Sequence, residues 1–368
     1  MAGFPFMRQA EPFRGSFLFA LLLAVLILPQ PVPAAAKPRP AIAFVHLLLP
    51  PDGQQHSAPA GWIGSLDRAR DILESLHIPT IVSAVPSENA DDLNELSEMD
   101  PEVLITTSPL LYPAACDVAK RSPNTVFFAC TDETVRDNMS GFQARTYEAH
   151  YLAGLIAGAL SDDGVIGYLA NDPYQSEASR LRNANAFTLG AQKANAAIRV
   201  LYAPGSHPDE ELKTLIAAGA DIVDVEKAVP PLVERLREHS VRYVGTTSRV
   251  ADPLFLAAPE WEWSNAFGDL LTQVRFGIWR PRNVSYGIKE GVVRLSAFGP
   301  SVPETVRARV RDAEGAIRNG ASPFNGPVRD TSGTLRIAEG SAPADKTLRF
   351  MDWRVQGLEP LPLTPDGP

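Results

Sequence analysis

The sequence predicts an α/β fold with two doubly wound lobes, each built on a parallel sheet. Three observations predict it: strand segments that are apolar throughout, helical stretches that alternate with them, and a second round of this alternation in the later half of the chain. Strands without a polar face belong to sheets that helices cover on both sides. With 368 residues, the chain is long enough for two domains of ~150 residues each.

The first element is predicted to be a cleaved secretory signal over residues 1–36. Arg8 and Arg14 give it a positive start, and Phe17–Leu28 is an unbroken run of twelve apolar residues. As a helix, that run would span only ~18 Å of a hydrocarbon core of ~30 Å. Small residues for cleavage follow at Ala34–Ala36. An uncleaved anchor is the alternative. Because no cysteine lies near the cleavage point, we expect a periplasmic protein without a lipid anchor.

After the leader, short apolar runs predict strands and amphipathic stretches predict helices. In the first half the predicted strands are Ala41–Leu49, Pro79–Val85, Val103–Thr107 and Thr125–Ala129, and the helices are Leu66–Leu76, a helix carrying Cys116, and Thr146–Leu160. In the second half the strands are Val165–Ala170, Ile198–Tyr202, Ile222–Val225 and Tyr243–Thr246, and the helices are Ser176–Ala194, Asp209–Ala218 and Pro231–His239.

The chain beyond Asp252 has a less regular pattern. It predicts helices at Trp263–Phe276 and Pro303–Asn319 and strands at Asn283–Ile288 and Val292–Phe298. The proline-rich segment after Leu358 is expected to be a loose tail.

Composition argues against several function classes. The formal net charge is −9, which disfavours nucleic acid or an anionic membrane as partner. The sequence contains no nucleophile elbow, metalloprotease motif, phosphate loop or dinucleotide fingerprint. We therefore expect no enzyme, metal or cofactor. The six histidines are scattered, and His46 is interpreted as a hydrogen-bonded core residue. Cys116 and Cys130 either pair in an oxidising compartment or remain two buried thiols.

Ligands of open α/β sheets bind outside the carboxyl ends of the strands. This rule points to the turns that follow the predicted strands, and two facing lobes would line one cleft with them. In the first lobe the turns contribute Thr107, Ser108 and Thr131 as candidate ligand-binding residues.

The run Tyr147–Gly158 (YEAHYLAGLIAG) resembles the signature of the basic membrane protein family, the substrate-binding proteins of ABC importers best known for purine nucleosides. Further landmarks follow in order along the chain. They are Gly164–Gly167–Tyr168, Asn185–Ala191 (NAFTLGA), Gly219–Asp221 (GAD), Tyr286–Gly291 (YGIKEG), Pro323–Pro327 (PFNGP) and Met351–Trp353 (MDW).

The resemblance implies a type I periplasmic-binding fold in which the chain crosses between the lobes three times, near Ala144, Thr247 and Asn283. It also implies a small-molecule ligand, a permease in the inner membrane as partner, and a monomer. The implied division is an N-terminal lobe of residues 37–144 plus 248–283, a C-terminal lobe of residues 145–247 plus 284–357, and a tail at 358–368.

The resemblance also names site residues. Trp62 matches the family's aromatic that stacks on the ligand base, a contact of ~1–3 kcal/mol. His207 stands where the second lobe usually offers a larger aromatic, and Thr247 stands where an aspartate grips the ribose. Trp263 matches an aromatic near a crossover. Pro59 also stands where the family has an aspartate, and a site that has lost two carboxylates should bind a neutral nucleoside poorly. The expected ligand is therefore nucleoside-like or another small polar or aromatic molecule.

Two other functions are alternatives to import. A sensor or scaffold module with an eroded cleft would share the same leader and lobes, and an enzyme on this fold would require a nucleophile and base that the sequence does not offer.

Overall fold

The computed structural model describes residues 40–47, 61–85, 90–131, 133, 136–173, 175–245 and 251–362. The predicted signal peptide, the loop before Trp62 with Pro59, and Thr247 lie outside the described residues. Within this part of the chain, no helix is both long and apolar enough to cross a bilayer.

The described residues form two sets of alternating strands and helices. The strands are β1 Ile42–Leu47, β2 Thr80–Val85, β3 Val103–Thr106, β4 Val126–Cys130, β5 Met139–Ala144, β6 Val165–Leu169, β7 Arg199–Ala203, β8 Ile222–Val225, β9 Arg242–Gly245, β10 Phe255–Ala257, β11 Pro259–Trp261, β12 Val284–Tyr286, β13 Val293–Leu295, β14 Val328–Arg329, β15 Leu335–Ile337 and β16 Leu358–Pro360. The α-helices are α1 Gly61–Ser75, α2 Ala90–Glu98, α3 Tyr112–Ala119, α4 Tyr147–Leu160, α5 Glu177–Ala194, α6 Pro208–Ala217, α7 Pro230–Glu238, α8 Ser264–Arg275, α9 Glu304–Arg318 and α10 Asp345–Leu348.

Two six-stranded parallel sheets organise the molecule, as the sequence predicted. The first has the strand order β12-β5-β4-β3-β1-β2 and the second the order β10-β9-β8-β6-β7-β16. Helices cover both faces of each sheet: α1 and α8 lie opposite α2 and α3 in the first lobe, and α4 and α5 lie opposite α6 and α7 in the second. The buried strands thus have helices on either side, which is why most of their side chains are apolar on both faces.

Helices α4 and α5 approach each other unusually closely because glycines line their contact. A Cβ on Gly154 would lie 2.0 Å from the carbonyl oxygen of Phe187, and one on Gly190 would lie 2.0 Å from that of Tyr151. The small residues that the sequence places along α4 are therefore required for packing against α5.

The chain passes between the two sheets three times. It leaves the first sheet after β5, returns after β10, and leaves again after β12. Two details of the predicted lobe boundaries are wrong: β10 pairs with β9 in the second sheet, although residues 248–283 were assigned to the first lobe, and β12 pairs with β5 in the first sheet, although residues 284–357 were assigned to the second. Each is a strand of only three residues, too short for its own pattern to select a sheet.

The first and third crossings are joined by Arg145. Its backbone N–H donates to the carbonyl of Tyr286 at 2.7 Å. Its guanidinium donates to Glu148 at 2.7 Å, to the carbonyl of Ser285 at 2.7 Å, and to Glu290. Carboxylates on both segments therefore share one cation, and this holds two of the three connections together.

Some elements were not predicted. α2, β5, β10, β11, α10 and the short pair β14–β15 were missed, whereas the strand predicted at Val292–Phe298 is present as β13. The predicted loose tail was wrong in its first residues, because Leu358–Pro360 pairs with β7 as an edge strand. Cys116 and Cys130 are buried thiols that are not joined in a disulfide, the second of the two alternatives.

Candidate functional site

Each sheet has one point at which successive connections run in opposite directions. In the first sheet β1 lies between β2 and β3, and in the second β6 lies between β7 and β8. Ligands of open α/β sheets bind at the carboxyl ends of the two strands flanking such a switch point. The residues after β1 and β3, and those after β6 and β8, are therefore the natural components of a site.

Trp62 lies in the first turn of α1, at the β1/β3 switch point. Its indole Nε1–H donates to the carbonyl of Thr107 at 2.8 Å, and Thr107 is the residue directly after β3. The ring is half-buried. It lies 6.3 Å from Phe142 at an interplanar angle of 14°, and edge-to-face with Trp263 at 5.2 Å. The hydrogen bond and these rings fix the orientation of the indole.

Thr107 is fully committed to internal bonds. Its hydroxyl donates to the carbonyl of Val45 at 3.0 Å and lies 3.0 Å from Nδ1 of His46. His46 is buried, and burial lowers the pKa of its imidazole despite the nearby Asp67. The prediction that His46 is a hydrogen-bonded core residue is confirmed, and Thr107 acts by holding Trp62.

Three further predicted residues of the first lobe lie at or near the carboxyl ends of its strands, next to this switch point. The Ser108 hydroxyl accepts from the N–H of Leu110 at 3.3 Å, and the Thr131 hydroxyl accepts from the N–H of Glu133 at 3.1 Å. Both shape turns after neighbouring strands, β3 and β4. Trp263 is 0% exposed and stacks on Phe267 at 5.5 Å. Its ring therefore packs against Trp62 inside the core and has no solvent-accessible surface.

In the second lobe the predicted residues are less closely grouped. His207 is exposed, and its backbone N–H donates to Glu211 at 3.3 Å. It follows β7, one strand away from the β6/β8 switch point. Thr247 belongs to the segment after β9 that the structure leaves undescribed.

The β6/β8 switch point carries buried charged residues that the sequence reasoning missed. Glu226 follows β8 directly, is 1% exposed, and accepts from the hydroxyl of Tyr168 at 2.6 Å. Burial raises the pKa of Glu226 to about 7, against a smaller opposing effect of His150. Asp224 lies 2.9 Å from Nδ1 of His150, with both side chains essentially inaccessible. Burial is the largest single influence and lowers the pKa of His150, but the neighbouring carboxylates of Asp224, Glu226 and Asp172 together outweigh it, and the pKa is raised.

A sequence signal for this cluster existed. Asp224 and Glu226 alternate with Val223 and Val225, so two acidic residues share one face of a segment that was predicted to be a buried apolar strand. Charged residues are almost never fully buried unless they have partners. That face should therefore have been recognised as polar, with a partner supplied by the covering helix.

Comparison with known proteins places the chain in a family. The family model for PnrA-like ABC transporter substrate-binding proteins, Bmp, matches residues 74–320. The chain belongs to this family. Its members are substrate-binding proteins of ABC transporters.

Two curated relatives extend the match. A purine-binding protein of Brucella abortus strain 2308 is 28% identical over 343 residues, covering 89% of this chain and 95% of that protein. A putative ABC transporter glucose-binding protein of Haloferax volcanii is 27% identical over 272 residues, covering 70% of this chain and 69% of the relative.

A solved structure agrees with the fold. An ABC transporter solute-binding protein from Aeropyrum pernix K1 superposes with a TM-score of 0.60 at 14% identity, covering 84% of this chain and 95% of that one. The PnrA-like protein therefore has the type I periplasmic-binding architecture: two parallel six-stranded sheets joined by three crossings.

Proposed function

We propose that this PnrA-like protein is a periplasmic receptor that holds a small nitrogen heterocycle, as a free base or a nucleoside, between its lobes. The leader over residues 1–36 would export it, and a permease in the inner membrane would accept the ligand from it. The chain would act as a monomer that closes about its crossings when ligand binds.

The observation that carries this proposal is the position of Trp62. A half-buried indole, fixed by the carbonyl of Thr107 at the switch point, offers a rigid π-face where ligands of such sheets bind. Stacking is the contact that heterocyclic bases make best with aromatic side chains. The purine-binding relative supports the same class of ligand.

The remaining predicted residues would have supporting roles. Thr107 and Trp263 would hold the indole in place, Ser108 and Thr131 would shape the first-lobe rim, and His207 and Thr247 would face it from the second lobe. A ribose would gain less from a threonine at position 247 than from a carboxylate, because a carboxylate makes stronger, charge-assisted bonds. This favours a free base over a nucleoside.

The test is isothermal titration calorimetry of protein purified from the periplasm of a Gram-negative host, with adenine, adenosine and glucose as probes. We expect adenine to bind most tightly. Trp62→Ala should weaken adenine binding by on the order of 10- to 100-fold, because it removes the stacking face. Trp279→Ala, which removes a partly buried tryptophan beyond the end of α8, is the matched control and should leave the affinity unchanged.

Glucose binding without adenine binding would contradict the proposal. A folded protein that responds to none of the three probes would favour the sensor or scaffold alternative instead.

A further inference from the structure

Glu226 is held at the β6/β8 switch point by the backbone of both strands. Its own N–H donates to the carbonyl of Leu169 at 3.2 Å. Asn171, which follows β6, makes two reciprocal bonds with the backbone of Lys227 at 2.8 and 3.0 Å. These bonds join the ends of β6 and β8, so the carboxylate between them has little freedom to move.

One oxygen of this carboxylate is satisfied and the other is not. Oε1 accepts from Tyr168 at 2.6 Å and more weakly from Asn183 at 3.4 Å. In the part of the chain that the structure describes, no donor reaches the buried Oε2. Buried carboxylate oxygens are nearly always hydrogen-bonded, since burying one without a donor is unfavourable. The space next to Oε2 of Glu226 therefore fits a ligand that carries a hydrogen-bond donor.

The surrounding charge favours the same kind of group. Two further buried carboxylates, Asp172 and Asp224, act on Glu226, against the single imidazole of His150. Asp224 has its own unsatisfied oxygen, Oδ1, among the described residues. An incoming carboxylate or phosphate would be repelled here, whereas an amino group or a ring N–H would be attracted.

On the basis of the proposed function, we propose that Glu226 determines ligand specificity by accepting an N–H from the edge of a heterocycle whose face lies on Trp62. The two lobes then divide the recognition. Stacking on Trp62 accepts any planar base, while the second-lobe carboxylate selects bases that carry an amino group or a suitably placed ring N–H. The ligand class is an amino-substituted heterocyclic base.

Adenine and purine test this selection, because they differ by one exocyclic amino group. Calorimetric titrations at about pH 8.5, where Glu226 is mostly ionised because burial raises its pKa only to about 7, would compare the periplasmic wild-type protein, Glu226→Gln, and Asp252→Asn. The wild type should prefer adenine by on the order of 10-fold or more, the value of a hydrogen bond to a charged group. In Glu226→Gln that preference should fall to about 2-fold, with purine affinity unchanged, because the glutamine keeps the shape and loses the charge.

Asp252→Asn is the matched control. Asp252 is also a buried carboxylate that accepts from a tyrosine, the hydroxyl of Tyr243 at 2.9 Å. Because it precedes β10, it lies at the amino-terminal end of a strand, away from the carboxyl ends of the strands at the switch point. Its variant should keep the wild-type preference for adenine.

The outcomes separate this inference from the proposed function. A wild type that binds both bases with equal affinity, or a folded Glu226→Gln protein that still prefers adenine, overturns the inference and leaves the proposed function standing. A wild type that binds neither of these bases nor adenosine overturns both. If circular dichroism shows that Glu226→Gln does not fold, Glu226→Asp replaces it, because its shorter side chain withdraws the carboxylate. An unchanged adenine preference in that folded variant would also overturn the inference.

Discussion

At the β1/β3 switch point of the first lobe, a half-buried tryptophan rests on other aromatic rings and bonds to a neutral carbonyl. At the equivalent β6/β8 point of the second lobe, carboxylates and an imidazole are buried behind the strand ends. The topology around the two points is the same, since each central strand has its chain neighbours on opposite sides. In the proposed receptor, the strand order would set where the ligand binds, and the side chains at each switch point would set which property of the ligand is recognised.

The comparison also separates two sources of stability. In the first lobe the switch-point residues join the apolar core, which gains from every buried ring. In the second lobe the buried charges offset one another, and desolvation opposes them. Substitutions at the two switch points should therefore change the free energy of unfolding by different amounts and with a different pH dependence.

The largest effect on stability is expected at Trp263, the buried ring beneath Trp62. Trp263 is fully buried and contacts Trp62, Phe142 and Phe267. Trp263→Ala should lower the free energy of unfolding by about 3–5 kcal/mol, the usual loss for a buried tryptophan. Urea denaturation followed by circular dichroism measures it, and Trp279→Ala should cost much less. A loss below about 1 kcal/mol would contradict the close packing described for this ring.

The second effect concerns the buried pair in the other lobe. Asp224→Ala leaves the imidazole of His150 buried without its 2.9 Å partner. It should cost about 3 kcal/mol, whereas replacing both residues with leucine should recover most of that loss, because the desolvation penalty disappears with the charges. The same denaturation experiment compares the single and double variants. Equal losses in both would indicate that the pair is stabilising in itself.

The third effect is a pH dependence of stability that arises from the buried carboxylate Glu226 of the second lobe. Folding raises the pKa of Glu226 from 4.5 to about 7 and also raises that of His150. Both protonated forms are thus favoured by folding, and this stability is lost as the pH rises through the folded pKa values. Between pH 5 and pH 8 the wild type should lose on the order of 2 kcal/mol relative to Glu226→Gln. Thermal melts at both pH values test it, and parallel changes in the two proteins would refute it.

The smallest effect is expected at the side chain of Thr107, whose hydroxyl makes neutral hydrogen bonds next to the carbonyl that holds Trp62. Thr107→Val removes the hydroxyl that donates to Val45 and contacts His46. A loss of about 1 kcal/mol in unfolding free energy is expected, with ligand affinity nearly unchanged, since the carbonyl that holds Trp62 remains. A large drop in affinity would instead place the hydroxyl itself against the ligand.

The fold was largely legible in the sequence because it depends on local patterns. Apolar runs and helical spacing identified nearly all of the long strands and helices, usually within one or two residues. His46 was also interpreted correctly as a buried, hydrogen-bonded residue, because it lies within a strong strand signal. The role of Trp62 as a ligand contact stays a prediction.

By itself, the sequence determined two lobes of alternating strands and helices, and an aromatic residue after the first strand, because strand and helix periods are written in neighbouring residues. Only the tertiary structure decided which sheet the short strands β10, β12 and β16 join, and that His150 meets Asp224 across 74 positions of the chain. Those outcomes depend on contacts between distant segments. A burial cost at one residue is offset by a partner that no local pattern identifies.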